Sequence, residues 1–160
     1  GSGESVWDIK KETGFVSPEL FQYFPTDHLC VDVIESGFYD TMGLFRKSLP
    51  ANALLALRWM KLLGIETAAQ QLFKNTSTST QRLCLLIRAL IKNPALLILD
   101  EPCQGLDIQQ QEYFKQVINE VCNNSNVSVI YVSHYQEQLP DCMDRVLKLQ
   151  KGRAVIGEAM

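Results

Sequence analysis

Apolar residues recur along this chain with two different periods, and the change of period marks its elements. Leu83, Leu86, Ile87, Leu90 and Ile91 fall at helical spacing. Thr78 with Gln81 fits a capping box at the start of that helix, and Asn93-Pro94 ends it. Leu54, Leu55, Leu57, Met60, Leu62 and Leu63 predict a helix over residues 51–63 with Gly64 as its stop, and a shorter helix is expected over residues 31–36. A further amphipathic helix over residues 108–122 carries Tyr113, Phe114, Val117, Ile118 and Val121 on one face. Residues 95–99 and 127–132 are instead continuous apolar runs, which predict strands buried on both faces of a parallel sheet. Residues 145–149 read as a third strand, Lys151-Gly152 as a turn and residues 154–156 as an edge strand. A short helix is expected over residues 135–139. The opening stretch, 6–16, reads as a strand entering a loop at Ser17-Pro18. Strands alternating with helices predict an α/β fold with a mostly parallel sheet.

Composition narrows the class. The 160 residues are 46% hydrophobic and 21% charged with a net charge of -3, which suits one globular domain. No basic run points to nucleic acid, and no apolar stretch approaches the roughly 20 residues of a membrane helix. The polar start GSGESVWDIK carries no signal-peptide pattern. The five cysteines form no CxxC pair and are expected to be reduced, buried thiols.

The chemistry concentrates at two strand ends. The run Leu96-Leu97-Ile98-Leu99 delivers Asp100 and Glu101 to the carboxyl edge of the sheet, where open α/β folds bind ligands. One carboxylate suits Mg²⁺, which takes one or two carboxylates and keeps several waters; its neighbour can polarise an attacking water. Alone, a core strand ending in an acidic turn is the competing explanation. Gly105-Leu106-Asp107 follows closely, and the next strand ends in Ser133-His134, whose imidazole can donate to a phosphate oxygen.

LLILDEP, GLD and VSH resemble the Walker B, D-loop and switch motifs of ABC ATPases, and Arg88-Ala89-Leu90 matches the tripeptide of the helix after the family signature. The resemblance implies a partial P-loop NTPase fold of the ABC type, with a helical subdomain. Residues 1–20 would be a core strand and Q-loop region, 21–92 the helical subdomain with the signature, and 93–160 the catalytic core. It implies ATP and Mg²⁺ as cofactors, with Asp100 positioning the metal, Glu101 as general base and His134 on the γ-phosphate. Asp107, Ser77, Thr78 and Ser79 would face a second ATPase domain, in the same full-length chain or in a homodimer. A membrane permease is the other kind of partner implied, no nucleic acid is expected, and the expected location is cytoplasmic or peripheral at the inner membrane face. GSGES-x-WDIKK, GFVSPEL, VIESGFYDTMGLF and DEPCQGLD narrow the resemblance to the ModF group, which carries two ATPase domains per chain and is associated with molybdate transport, and to the related photorepair-type ATP-binding proteins. The chain would match the latter part of the second domain. GSGE itself reads either as native sequence or as a cloning remnant.

Three departures qualify this. LSGGQ falls on Thr76-Ser77-Thr78-Ser79-Thr80, where only the serine matches. The added β-carbons stand where glycine would allow close approach, so a weakened signature or a plain helix cap is expected. The Q-loop glutamine falls near Pro18, with Glu19 and Gln22 both open as substitutes. No GxxxxGK[ST] phosphate loop occurs; Lys47-Ser48 lacks the preceding glycine. The hydrogen bonds such a loop supplies are worth about 1.5–3 kcal/mol each, and millimolar affinity amounts to only about 4 kcal/mol. The chain alone is therefore expected to be inactive. A strand absent between residues 127–132 and 145–149 is expected to leave a gap or force re-pairing, with exposed apolar edges, self-association and marginal stability. Two alternatives to the ATPase remain: a regulatory module that kept the fold but not turnover, and an α/β binding domain unrelated to ATP.

Overall fold

The computed structural model describes residues 5–158; the GSGE question falls outside them. The chain opens with helix α1 (Val6–Glu12), not with the strand expected over residues 6–16. The reason is local. Ser5 caps the helix, accepting from the Asp8 N–H at 3.3 Å, while the Asp8 carboxylate accepts from the Ser5 N–H at 3.1 Å. Lys10 and Lys11 occupy the last turn, where the helix dipole favours cations. Only Thr13–Val16 is strand β1.

A helical segment follows. A 3₁₀ turn (Pro18–Tyr23) leads to α2 (Cys30–Glu35), a second 3₁₀ turn (Ser36–Tyr39), α3 (Pro50–Leu62) and α4 (Thr78–Leu90). Phe24, Ile34, Met60, Phe73, Leu85, Leu86 and Ile87 fill its interior, with Phe24 edge-on to Phe73 at a 5.4 Å ring separation. Glu35 and Arg88 are charged groups buried there with bonded partners. Glu35 accepts from the Ser48 hydroxyl at 2.6 Å and the Leu49 N–H at 2.9 Å, so its carboxylate caps the amino end of α3. Arg88 donates to Ser36 Oγ at 3.2 Å and to the Thr41 carbonyl at 2.7 Å.

The remaining elements are β2 (Leu96–Asp100), α5 (Ile108–Asn124), β3 (Ser128–Val132), β4 (Arg145–Gln150) and β5 (Arg153–Glu158). β1, β2 and β3 form a parallel sheet in that order, in register Val16–Leu99–Tyr131. Gly14 lets α4 press onto it: a Cβ there would lie 2.7 Å from the Ala89 carbonyl oxygen. Leu97 and Leu99 point to this covered face and are fully buried. The opposite face, with Phe15, Ile130 and Val132, is open. Residues 127–132 are therefore not the buried strand expected, because nothing among the described residues covers that face or pairs with the outer edge of β3. Nor does residues 145–149 join the parallel sheet. β4 pairs antiparallel with β5 through Lys151-Gly152, both at positive φ as a two-residue hairpin turn requires. The expected gap lies between β3 and β4, with Leu147, Leu149 and Ile156 exposed on the hairpin.

Candidate functional site

β2 ends at Asp100, and the ladder runs one residue further: the Glu101 N–H donates to the Val132 carbonyl at 2.9 Å. This bond holds the end of β2 against the end of β3, so Ser133 and His134 leave beside the carboxylates. His134 Nε2 lies 3.1 Å from Glu101 Oε1 without the alignment of a hydrogen bond, and that shielded oxygen has no other partner. The imidazole is 85% exposed and the glutamate side chain 22%. The pair thus faces solvent through His134, while Glu101 sits in the wall. Glu101 has φ 49°, a left-handed conformation rare for a residue with a β-carbon and found preferentially at functional turns.

Asp100 is half-buried, and no side chain among the described residues donates to it. Two adjacent carboxylates, one with an unpartnered oxygen, are hard oxygen donors that fit Mg²⁺ carrying its own water. Among the described residues no group of three or more candidate ligands gathers.

The following turn is pinned twice. Cys103 Sγ lies 3.2 Å from the Tyr131 hydroxyl on the covered face of β3. Burial pushes the Tyr131 phenol well above its ordinary range, and the bond to Cys103 adds to this. Arg82, on α4, donates from Nη2 to the Gln104 carbonyl at 2.6 Å. Burial pulls its guanidinium below the usual value, and its Nε has no acceptor. These three residues were not singled out from the sequence. The available signal was an arginine on the apolar face of α4.

The other candidates form a second cluster. Ser77, not Thr78, is the cap of α4, accepting from the Thr80 N–H at 3.2 Å. The capping box expected from Thr78 and Gln81 does not form, because Gln81 instead donates to the Phe73 and Thr76 carbonyls at 3.2 and 3.0 Å. Thr78 opens the helix, exposed, and Ser79 is half-buried behind it. Asp107 caps α5 in a reciprocal box, accepting from the Gln110 N–H at 2.8 Å. Gly105, at φ 81°, brings the two caps near one another: a Cβ on it would lie 4.0 Å from Thr78 Cγ2. The structure therefore joins Asp100, Glu101 and His134 in one group, while Ser77, Thr78 and Ser79 at the start of α4 and Asp107 at the start of α5 lie on either side of the Gly105 turn that Arg82 holds. Glu19 and Gln22 are both exposed on the 3₁₀ turn leaving the carboxyl end of β1, and neither reaches the carboxylates.

A parallel sheet carrying acidic residues at its carboxyl edge, with a helical segment inserted between its first two strands, is the ABC-type ATP-binding fold, and the chain is a homologue of ABC transporter ATP-binding domains. It is 36% identical over 149 residues to the ABC transporter ATP-binding protein ModF of Escherichia coli, a match covering 92% of this chain and 30% of that protein. An uncharacterised ABC transporter ATP-binding protein of Schizosaccharomyces pombe is 31% identical over 157 residues, covering 98% and 32%. The molybdate import ATP-binding protein MolC of Haemophilus influenzae is 24% identical over 151 residues, covering 94% and 59%. The chain thus spans about a third of the length of the first two relatives. Among solved structures, a dimeric ATP-binding cassette bound to ADP and Pi superposes with a TM-score of 0.78 at 19% identity, over 99% of this chain and 69% of that one. No family model matches.

Proposed function

We propose that this chain supplies the hydrolytic edge of an ATP site in an ABC-type ATPase. The observation that carries the reading is Glu101. Its Oε1 is shielded, lacks a hydrogen-bond donor and lies 3.1 Å from an exposed histidine. An acceptor held without a donor is what a base needs to take a proton from water. Asp100 would hold Mg²⁺ through water, and the metal would neutralise phosphate charge. His134, exposed beside Glu101, would donate to the γ-phosphate. Ser77, Thr78, Ser79 and Asp107 lie on the second cluster, facing a second ATPase domain, in the same longer chain or in another copy. Turnover would need phosphate-cradling N–H groups and a lysine from a GxxxxGK[ST] loop, which these 160 residues do not contain.

The division proposed is residues 1–20, 21–92 and 93–160, for the first strand with its loop, the helical subdomain and the catalytic core. A membrane permease as further partner, a cytoplasmic or peripheral location and a molybdate-related role follow the same family reading, the last supported by the likeness to the molybdate import ATP-binding protein MolC. Two observations favour the alternative, a regulatory module: Ser77 and Asp107 both spend side-chain oxygens on helix caps, and the signature glycines are absent. Glu101→Gln in the full-length protein separates the two. It should abolish ATP hydrolysis and leave nucleotide binding intact. Unchanged hydrolysis removes Glu101 as base, and a wild-type protein that binds without turnover establishes the regulatory module.

A further inference from the structure

The cysteines are not the uniform set of buried thiols that the sequence led us to expect. Cys30 and Cys84 are fully enclosed and Cys103 is nearly so. Cys122 and Cys142 are half-buried, and their sulfurs lie 2.7 Å apart. Cys122 sits in the last turns of α5 (Ile108–Asn124), and Cys142 lies after Pro140 in the loop leading to β4. Two bonds fix the loop side. The Cys142 N–H donates to Asn119 Oδ1 at 3.0 Å, and its thiol points between Cys122 Sγ and the Ile118 carbonyl. A disulfide would shorten this separation to about 2.05 Å.

What lies between the two cysteines gives the contact its significance. The intervening chain is the end of α5, all of β3, Ser133-His134 and the 3₁₀ turn Gln136–Gln138. A crosslink would tie both ends of the segment that presents His134. β3 has no strand on its outer edge among the described residues, so its backbone is held along one edge only, by β2.

We propose that Cys122 and Cys142 are a reversible redox pair, whose disulfide clamps the β3–His134 segment. Cys142 is the donor in the contact and is pushed up to about 12, by burial first and by the bond to Cys122 second. Cys122 entering and Cys142 resolving gives the same disulfide as the reverse order. With glutathione disulfide as oxidant, the Cys122 thiolate attacks one sulfur, forms a mixed disulfide and releases one glutathione thiolate. Cys142 then passes its proton to that thiolate and attacks Cys122 Sγ. The Cys122–Cys142 bond forms and the second glutathione leaves, so two thiols are oxidised and one glutathione disulfide is reduced to two glutathiones. Any effect on hydrolysis rests on the role proposed for His134; the pairing itself does not.

The test needs no nucleotide. The chain is equilibrated with reduced glutathione and glutathione disulfide at set ratios, quenched in acid, alkylated after unfolding and mapped by peptide mass spectrometry. The expected product is a Cys122–Cys142 link that dithiothreitol reverses, with Cys30, Cys84 and Cys103 still alkylated. Cys122→Ser and Cys142→Ser should each prevent it while keeping the wild-type circular dichroism. Amide exchange over residues 128–134 should slow at least about tenfold on oxidation. Failure to form the link where glutathione disulfide is in excess, or links distributed among other cysteines, overturns the pair. A link that leaves exchange over residues 128–134 unchanged overturns the clamp.

Discussion

Arg82 and Arg88 lie on the same helix and are equally buried, each 7% exposed, yet their removal should have very different effects. Burying a guanidinium costs several kcal/mol whatever it touches, so the difference lies in what each recovers. Arg88 makes two hydrogen bonds, at 3.2 and 2.7 Å, and its guanidinium carbon lies 5.3 Å from the Phe24 ring centroid. At about 1.5–3 kcal/mol per bond to a charged group and about 1–2 kcal/mol for a desolvated cation–π contact, it recovers its desolvation. Arg82 makes one bond, at 2.6 Å, and carries an unpaired Nε that costs about 1–3 kcal/mol. Those two contributions nearly cancel. Methionine fills similar volume without a charge to desolvate. The desolvation cost is common to both, so Arg88→Met should destabilise by at least about 3 kcal/mol more than Arg82→Met, a large part of the roughly 5–15 kcal/mol of a domain. Urea unfolding reads this directly: with slopes of about 1–3 kcal/mol per molar, the Arg88→Met midpoint should lie about 1 M or more below that of Arg82→Met. Arg82→Met should instead quicken amide exchange over residues 102–107, whose turn it holds. Equal midpoint losses for the two variants would refute the reasoning, because they would mean that bonding does not decide the worth of these buried charges.

Glu35→Ala should cost about 1–3 kcal/mol in the same unfolding measurement, since it takes the acceptor from the Ser48 hydroxyl and the Leu49 N–H at the start of α3. Glu35→Gln, which keeps the shape and part of the bonding, should lose visibly less. Glycine at positions 78 and 79 of the full-length protein should raise ATPase turnover by removing β-carbons where a phosphate must approach backbone N–H groups; unchanged turnover would make Ser77 a plain cap.

The helices and the catalytic edge were legible because their signals are local. Periodicity located α3, α4 and α5 within a few residues, and the carboxylates at the end of β2 needed only an apolar run and its stop. α1 was missed because its cap, Ser5 with Asp8, outweighs a mixed apolar pattern over few residues. β3 was placed correctly along the chain and wrongly in its surroundings. Its composition reports a strand suited to cover on both faces, whereas the described residues supply helices to one face only. The link from Arg82 to Gln104 spans 22 residues and ends on a backbone carbonyl, which no side-chain pattern encodes.

Glu101 concentrates local costs that the fold does not require. Asp40, Asn93, Glu101 and Lys151 all have positive φ. Asp40 and Asn93 belong to the types that tolerate this conformation and follow a helix or 3₁₀ turn, and Lys151 sits in a hairpin turn that demands it. Glu101 does neither. It takes a conformation costing roughly 1–2 kcal/mol and leaves a shielded carboxylate oxygen without a donor, at about 1–3 kcal/mol more. Glycine would relieve the first cost and an apolar residue the second, and neither could accept a proton. Such local violations are expected where stability is given up for chemistry. These costs support the role proposed for Glu101 on physical grounds that are separate from any likeness to other proteins.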